Sequence, residues 1–151
     1  MSIATRYATA ADPDAAAAPF DGYRQFYEQP SDLALARRYL TERLERKESV
    51  LIVAEDDQGA LIGFTQLYPT FCSVRAAHTF VLYDLFVTPA ARGTGAGRAL
   101  MLAAEAHARK AGAARMELST AKTNVVGQAL YESLGWERDI SYLVYGRDLR
   151  D

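Results

Sequence analysis

The 151-residue sequence has a single cysteine, Cys72, and it has no apolar run of the length that a membrane-spanning helix needs. One cysteine excludes an intrachain disulfide, so nothing in the chain requires an oxidising compartment. The first twenty residues have neither the basic cluster nor the longer apolar core of a secretory signal. We therefore expect a cytoplasmic protein that has no membrane partner.

Neither sign of charge is in large excess, since 17 lysines and arginines stand against 19 aspartates and glutamates. This balance disfavours nucleic acid as a partner, because such binding usually needs a broad basic surface. The basic residues between Arg37 and Lys47 are interpreted as the solvated face of a helix. The length and the hydrophobic content of 50% predict a single domain over residues 1–151, with a core that needs no metal or disulfide.

The most informative stretch joins an apolar strand to a glycine loop and an alanine-rich helix. Aromatic and β-branched residues fill 79–88, the loop Arg92-Gly93-Thr94-Gly95-Ala96-Gly97 follows, and residues 98–111 are rich in helix formers. Glycines at every second position allow a sharp turn that exposes backbone N–H groups at the start of the helix, where the macrodipole adds positive charge. The pattern predicts a cradle for an anion, in particular a phosphate.

Three ligand classes use loops of this kind, and the residues after the glycines separate them. A P-loop needs a lysine followed by serine or threonine, whereas Gly97 is followed by Arg98 and Ala99. A dinucleotide fold needs a glycine where Arg98 stands, and its ribose-binding acid belongs at the end of a strand, whereas Glu117 lies inside one. Both classes are disfavoured, with a dinucleotide-binding protein kept as a lesser alternative to the third class, acyl-coenzyme A.

Periodicity and turn residues predict one mixed α/β (α+β) fold, with a mostly antiparallel sheet of six to seven strands and about four flanking helices. The strands that the pattern places cover residues 3–8, 49–55, 60–68, 79–88, 114–120 and 140–146. Helices are expected after the caps Asp12 and Ser31, after the glycine loop, and over residues 125–134.

Proline and glycine predict three interruptions of these elements. The first helix should bend or break near Pro19 and Gly22, and Pro69 should end the third strand. Residues 70–78 then form a loop, which is a candidate for substrate contact because it adjoins the strand that leads to the glycine cradle.

The loop residues Arg92 to Gly97 are similar to the pyrophosphate-binding signature of the GNAT family of N-acetyltransferases. That signature has an Arg or Gln followed at fixed spacing by two glycines, here Gly95 and Gly97. The family places it after its central strand and follows it with a strand, an Asn-containing turn and a helix, and the second block, here from Asn124 to Trp136, ends in Leu-Gly-aromatic. The resemblance covers roughly residues 50–149, and it implies the GNAT fold and acetyl-CoA as the co-substrate.

The resemblance also implies which residues bind the coenzyme. The family's central strand splays from its neighbour at a bulge, so that freed backbone pairs with the pantetheine arm and one amide N–H faces the thioester oxygen. The loop N–H groups take the pyrophosphate, Arg92 either braces the loop or touches phosphate, and Asn124 either contacts pantetheine or caps a helix. The coenzyme-binding residues are then Leu85, Phe86, Val87, Arg92, Gly93, Thr94, Gly95, Ala96, Gly97, Arg98, Asn124 and Gly127.

Two residues are candidates for catalysis. The resemblance implies that Tyr131 protonates the departing thiolate, and a core tyrosine is the alternative. Asp84 is a lone carboxylate in an apolar strand, which is costly unless the carboxylate is paired, hydrogen-bonded or open to a wet cleft. It is a candidate for binding a cationic amine or relaying the amine's proton, and a structural ion pair is the alternative.

The central strand looks nearest to polyamine and diamine acetyltransferases, although this chain has Tyr83-Asp84 where those enzymes carry an acidic pair. Aromatic and acidic residues expected near the acceptor are Tyr23, Tyr27, Glu28, Tyr68, Phe71 and Tyr83. The predicted reaction moves an acetyl group to a primary amine, on a small polyamine-like molecule or a protein lysine, by direct attack. A non-catalytic acyl-CoA sensor is the alternative from another class.

Two further expectations concern metals and assembly. His78 and His107 have no acid or second histidine at a metal-ligand spacing, so no metal site is expected. Homodimers are common in the family that the chain resembles, and residues 142–145 are a candidate for pairing across such an interface.

Overall fold

The structure, a computed structural model, describes residues 2–150. Within this range the strands are β1 Ala4–Tyr7, β2 Val50–Glu55, β3 Leu61–Cys72, β4 Ala77–Val87 and β5 Arg115–Glu117. The α-helices are α1 Pro13–Phe26, α2 Leu33–Glu45, α3 Ala96–Lys110 and α4 Val125–Ser133. The chain divides into two compact units, one that ends at Ser119 and one that begins at Thr120.

In the first unit the strands form one sheet in the order β1-β2-β3-β4-β5, and only the β4–β5 pair is parallel. Successive strand residues point to opposite faces, so Leu51 and Val53 pack with α1 and α2 while Ile52 packs with α3. The predicted mixed, mostly antiparallel α+β fold with about four helices is confirmed.

Helix α1 starts directly after Asp12, as predicted, but it continues through Pro19 and Gly22. The predicted break is therefore wrong. Pro19 is buried in the helix, and Gly22 lies so close to β4 that a Cβ there would stand 3.2 Å from the ring Cζ of Phe86. Packing against the sheet holds the helix together in spite of the hydrogen bond that a proline nitrogen cannot donate.

Helix α2 starts one residue later than predicted, because Ser31, the residue expected to cap it, is hydrogen-bonded to Asp21. Asp32 caps the helix by accepting a hydrogen bond from the N–H of Leu35 at 3.0 Å. Ser31 instead donates its hydroxyl to the buried carboxylate of Asp21 at 2.7 Å. Local sequence shows two adjacent capping residues, and the tertiary contact decides between them.

Strand β3 does not end at Pro69 but continues to Cys72, and the predicted loop at 70–78 is only a turn at residues 73–76. The reason is the length of the neighbouring strand. Strand β2 pairs with β3 only as far as Leu67, and within residues 2–150 no other strand pairs with that edge of β3 at Pro69. The N–H that proline lacks therefore costs no ladder hydrogen bond on that edge.

The strand count of six to seven is wrong, since residues 2–150 contain five strands. Residues 114–120 form only the short β5, and 140–146 form no strand. Aromatic and β-branched residues give 140–146 strand propensity, but a strand exists only where a neighbour supplies its hydrogen bonds. Residues 142–145 are 80–93% exposed.

The second unit consists of α4 and the stretch that follows it. Helix α4 begins after Asn124 and ends just before Gly135, whose φ of 90° is the left-handed conformation expected of a glycine after a helix. The predicted bounds, 125–134, agree with the observed helix to within one residue. No helix within residues 2–150 is both long and apolar enough to span a membrane.

Candidate functional site

The glycine loop adopts the conformation that its sequence predicts. Gly93 and Gly95 have φ angles of 78° and 91°, values that strongly favour glycine. Gly95 stands immediately before α3. The first N–H groups of a helix have no acceptor within the helix, so those of Ala96, Gly97 and Arg98 are available to an anion.

Two side chains of the loop contact the backbone that precedes it. The Arg92 Nε donates to the carbonyl oxygen of Val87 at 3.0 Å, and its guanidinium lies 5.5 Å from the ring centre of Phe86. The Thr94 hydroxyl donates to the carbonyl oxygen of Ala91 at 2.6 Å. Of the two roles predicted for Arg92, the contacts fit bracing of the loop, which leaves the backbone N–H groups to meet a ligand.

The strand before the loop has an open edge. Strand β5 pairs with β4 only at Thr79, Phe80 and Val81. Within residues 2–150 no strand pairs with that edge of β4 over 82–87, which includes Leu85, Phe86 and Val87. Every second residue of this segment turns its N–H and C=O toward the open edge. The edge of β4 that includes these residues is therefore without a strand partner within residues 2–150.

A bulge interrupts the pairing of β4 with β3 on the other side. Gln66 pairs with Asp84, but the next residue of β3, Leu67, pairs with Leu82. Tyr83 is therefore an extra residue in β4, and its side chain is 64% exposed. Bulges re-aim side chains at functional sites, and this one lies directly beside Asp84.

Asp84 is a buried carboxylate, 3% exposed, without an ion-pair partner among residues 2–150. The alternative of a structural ion pair is therefore not supported. The Gln66 Nε2 donates to Oδ2 of Asp84 at 2.6 Å. Burial raises the pKa of Asp84 to about 6, against the opposing effect of the Gln66 amide and the Tyr23 hydroxyl. The carboxyl thus exchanges its proton near neutral pH.

Tyrosine side chains surround this carboxylate. The Tyr23 hydroxyl donates to the carbonyl oxygen of Tyr83 at 3.0 Å, and burial together with the negative charge of Asp84 raises the pKa of Tyr23 above its ordinary value. The ring of Tyr27 lies 5.2 Å from that of Tyr23, and the ring of Tyr68 lies 5.6 Å from that of Tyr83. These four of the six predicted acceptor residues are close together.

Phe71 does not belong to this group. It pairs with His78 near the far end of the β3–β4 hairpin, and it is 79% exposed. Asp84 lies six positions from His78 along β4, which corresponds to about 20 Å at the rise of a strand. The prediction failed for Phe71 because residues 70–78 were interpreted as a loop near the cradle instead of a hairpin that leads away from it.

In the second unit, Asn124, Gly127 and Tyr131 lie on α4 and the residue before it. Asn124 caps the helix, since its Oδ1 accepts from the N–H of Gly127 at 3.2 Å and its Nδ2 donates to the Thr120 hydroxyl at 2.9 Å. A Cβ on Gly127 would stand 2.5 Å from the Asn124 Nδ2, so a larger residue here would displace the capping side chain. Tyr131, half-buried, lies one helical turn beyond Gly127 on the same face.

The predicted residues thus form two groups, one along β4 and the glycine loop in the first unit and one on α4 in the second. Sequence reasoning missed Gln66 and Ser49, which are hydrogen-bonded in series with Asp84. A polar residue inside the apolar run of β3 was the available signal, but only the strand register reveals its partner. Within residues 2–150, no group of three or more His, Cys, Asp or Glu side chains is arranged to hold a metal.

Comparison with known proteins agrees with this geometry. The family model described as Acetyltransferase (GNAT) family matches residues 16–136. The uncharacterized N-acetyltransferase YhfO of Bacillus subtilis (strain 168) is 46% identical over 140 residues, which cover 93% of each chain. The crystal structure of a probable acetyltransferase is 37% identical, with a TM-score of 0.90 over 100% of this chain and 99% of that one. A predicted acetyltransferase of Clostridium acetobutylicum, in a crystal structure with acetyl-CoA, shares the fold at 16% identity, with a TM-score of 0.75 over 96% of each chain.

Proposed function

We propose a reaction for this chain from the premise that it belongs to the acetyltransferase (GNAT) family. The chain is an N-acetyltransferase, and the proposed reaction moves an acetyl group from acetyl-CoA to a primary amine by direct attack. The observation that carries the choice of a primary amine is Asp84, a buried carboxylate with no cation beside it among the described residues. A cationic amine would supply the missing charge.

Acetyl-CoA is supported as the acetyl donor by two features of the first unit. The left-handed glycines, Gly93 and Gly95, present a row of N–H groups at the start of α3, which suits a pyrophosphate. The open edge of β4 at Leu85, Phe86 and Val87 offers backbone groups to the amides of a pantetheine arm. An N–H on this edge would stabilise the oxyanion, and a lost oxyanion donor typically costs about 3 kcal/mol.

The proposed chemistry has one bond-forming and one bond-breaking event. An alkyl ammonium has a pKa near 10.4, so it binds beside Asp84 in its charged form and must lose its proton. Asp84 accepts that proton and releases it to water, which leaves a lone pair on the nitrogen. The lone pair attacks the thioester carbon, and the nitrogen, acidic once the N–C bond has formed, releases its second proton to water, from which Tyr131 later recovers the proton that it donates. The carbon–sulfur bond then breaks, and the thiolate takes a proton from the Tyr131 hydroxyl, the role that the family resemblance assigns to it.

The acceptor is proposed to be a small, polyamine-like amine, with a protein lysine as the alternative. The tyrosines near Asp84, Tyr23, Tyr27, Tyr68 and Tyr83, support a small cationic ligand, because aromatic faces and a carboxylate together attract an ammonium group. A homodimer that pairs residues 142–145, and a cytoplasmic location, are part of the same proposal.

A thiol-release assay with acetyl-CoA tests the reaction. The acceptor panel contains polyamines, aminoglycosides, amino acids and lysine peptides, and each product is checked by mass spectrometry for one added acetyl group. We expect release on at least one primary amine, strongest among the small diamines and polyamines. Binding of acetyl-CoA without release on any amine would show that the chain is a sensor, and stabilisation by NADH instead of acetyl-CoA would contradict the coenzyme assignment.

A further inference from the structure

The carboxylate of Asp84 belongs to a short chain of buried polar groups. Gln66, 0% exposed, stands opposite Asp84 across the β3–β4 pair, and its Nε2 donates to Asp84 Oδ2 at 2.6 Å. The Ser49 hydroxyl donates to Oε1 of the same amide at 2.8 Å. An ionised carboxylate only accepts hydrogen bonds, so the Gln66 amide nitrogen must face Asp84 and the amide oxygen must face Ser49. The carboxylate therefore fixes the orientation of the amide, and the Ser49 hydroxyl supplies the donor that its oxygen then needs.

We infer that Gln66, held by Ser49, is a positioning residue for Asp84: it holds Oδ2 and thereby orients the carboxylate that binds the acceptor amine and takes its proton. This inference rests on the proposed function. The bulge at Tyr83 adds to the argument, because Gln66 and Asp84 are the last pair in register before it. A carboxylate next to an irregular backbone needs a second anchor if its oxygens are to keep one orientation.

The same hydrogen bond controls the charge of Asp84. A donor to a carboxylate stabilises the ionised form, and here it works against burial, which alone would protonate the carboxyl. A protonated Asp84 would neither attract an ammonium group nor accept its proton. Gln66 therefore keeps the carboxylate usable near neutral pH.

One other group near Asp84, the Tyr23 hydroxyl, also lowers its pKa. The titratable and charged side chains around it are Tyr23 and Tyr27 of α1, Tyr39 and Arg43 of α2, Tyr68 of β3 and Tyr83 of β4. Burial raises the pKa of Tyr23 and of Tyr68 above the ordinary tyrosine value, so both are neutral at pH 7. Arg43 donates to Glu48 and lies 4.6 Å from the ring centre of Tyr39, so its charge is already engaged. The Tyr23 hydroxyl donates its one proton to the carbonyl oxygen of Tyr83 at 3.0 Å, so among these groups the Gln66 amide is the donor in hydrogen-bond contact with the Asp84 carboxylate.

The test compares the wild type with Gln66→Met, which keeps the volume of the side chain but removes the donor. The protonation of Asp84 is followed directly by carbon-13 NMR of the carboxyl, assigned by its loss in Asp84→Asn, and the pH profile of kcat/KM is measured in parallel. We expect both midpoints to rise by about one pH unit, because a lost hydrogen bond to a charge has about that value.

Two further variants keep the test decisive if Gln66→Met folds poorly. Ser49→Ala removes the outer anchor, so it should move both midpoints in the same direction by a smaller amount. Thr65→Val is the matched control, since the Thr65 hydroxyl donates to the backbone oxygen of Asp84 at 2.8 Å rather than to its carboxylate. It should leave the Asp84 midpoint unchanged.

An Asp84 midpoint that stays fixed in both Gln66→Met and Ser49→Ala would overturn the inference. So would a midpoint that moves in the NMR titration while the acid limb of kcat/KM does not. If no amine is acetylated at all, the proposed function fails, and the NMR titration alone still decides whether Gln66 sets the state of Asp84.

Discussion

At the scale of single residues, two buried aspartates have pKa shifts of opposite sign because their surroundings differ. Asp21 and Asp84 are both buried, at 3% exposure each. Asp21 accepts hydrogen bonds from the Asp32 N–H, the Ser31 hydroxyl and Gln25, which lower its pKa, whereas burial dominates at Asp84 and raises the pKa to about 6. The hydrogen-bond donors, together with the charge of Arg24 near Asp21, decide the outcome, and they make Asp21 a structural anchor and Asp84 a candidate base.

Tyr131 offers a second residue-scale prediction. Tyr131→Phe should lower kcat by roughly 100-fold, because a general acid commonly contributes that much, while the affinity for acetyl-CoA stays nearly unchanged. Steady-state kinetics and calorimetric binding of acetyl-CoA measure the two quantities separately. Tyr145→Phe is the control, since Tyr145 lies in the same unit and is 88% exposed. A large loss of coenzyme affinity in Tyr131→Phe would show that the hydroxyl is structural.

At the scale of elements, the glycine loop depends on left-handed backbone. A Cβ on Gly95 would meet nothing within 4 Å, so Gly95→Ala isolates the cost of its φ of 91°. That cost is about 1–2 kcal/mol, and it should raise the KM for acetyl-CoA roughly 5- to 30-fold. Gly146→Ala is the control, because a Cβ there would also meet nothing within 4 Å and Gly146 is not among the glycines with positive φ. It should leave the KM for acetyl-CoA unchanged. An unchanged KM in Gly95→Ala would remove the loop from the coenzyme site.

The connection between α1 and α2 depends on Asp21. Its folded-state pKa is lowered, so its contribution to stability is present above the ordinary aspartate pKa and is lost as the pH falls through the folded value. Asp21→Asn should lower the free energy of unfolding by about 1–3 kcal/mol at pH 7 and by less at pH 3. Urea unfolding at both pH values measures the difference. Asp14→Asn on the exposed side of α1 is the control, and an equal loss at both pH values in Asp21→Asn would contradict the assignment.

Sequence patterns correctly predict the elements that depend only on residues close to one another in the chain. The strand, glycine loop and helix from β4 to α3 follow from propensity and from positive φ at glycine, and the cap at Asn124 follows from its side chain. Features that depend on distant partners could not be predicted. Pro69 stays in a strand because β2 is short, and residues 140–146 have strand propensity without a paired neighbour.

The same limit applies to the site. Asp84 and the backbone of β4 were predicted because both lie in the stretch that resembles the family's central strand. Gln66 and Ser49 were not, because their contact with Asp84 spans 18 residues from Gln66, and Ser49 is a further 17 residues from Gln66. A hydrogen-bond chain that crosses three segments becomes visible only when the register is known.

At the scale of the whole molecule, the exposed residues 142–145 make assembly testable. Four consecutive apolar or aromatic residues at 80–93% exposure favour association with another surface. Light scattering after size exclusion should give a dimer for the wild type and a monomer for the double variant Leu143→Lys with Tyr145→Lys. Val74→Lys, on a side chain 97% exposed in the β3–β4 turn, should remain a dimer. A wild type that is monomeric at all concentrations would contradict the proposal.

The central claim is that Asp84 takes the proton of an amine during acetyl transfer, and the pH profile of kcat/KM tests it most directly. For the wild type we predict an acid limb with a midpoint near pH 6, the pKa to which burial raises Asp84. Asp84→Asn should lose that limb and should have a kcat/KM roughly 10²- to 10⁴-fold lower at pH 7. An Asp84→Asn enzyme that keeps both the limb and the rate would contradict the account.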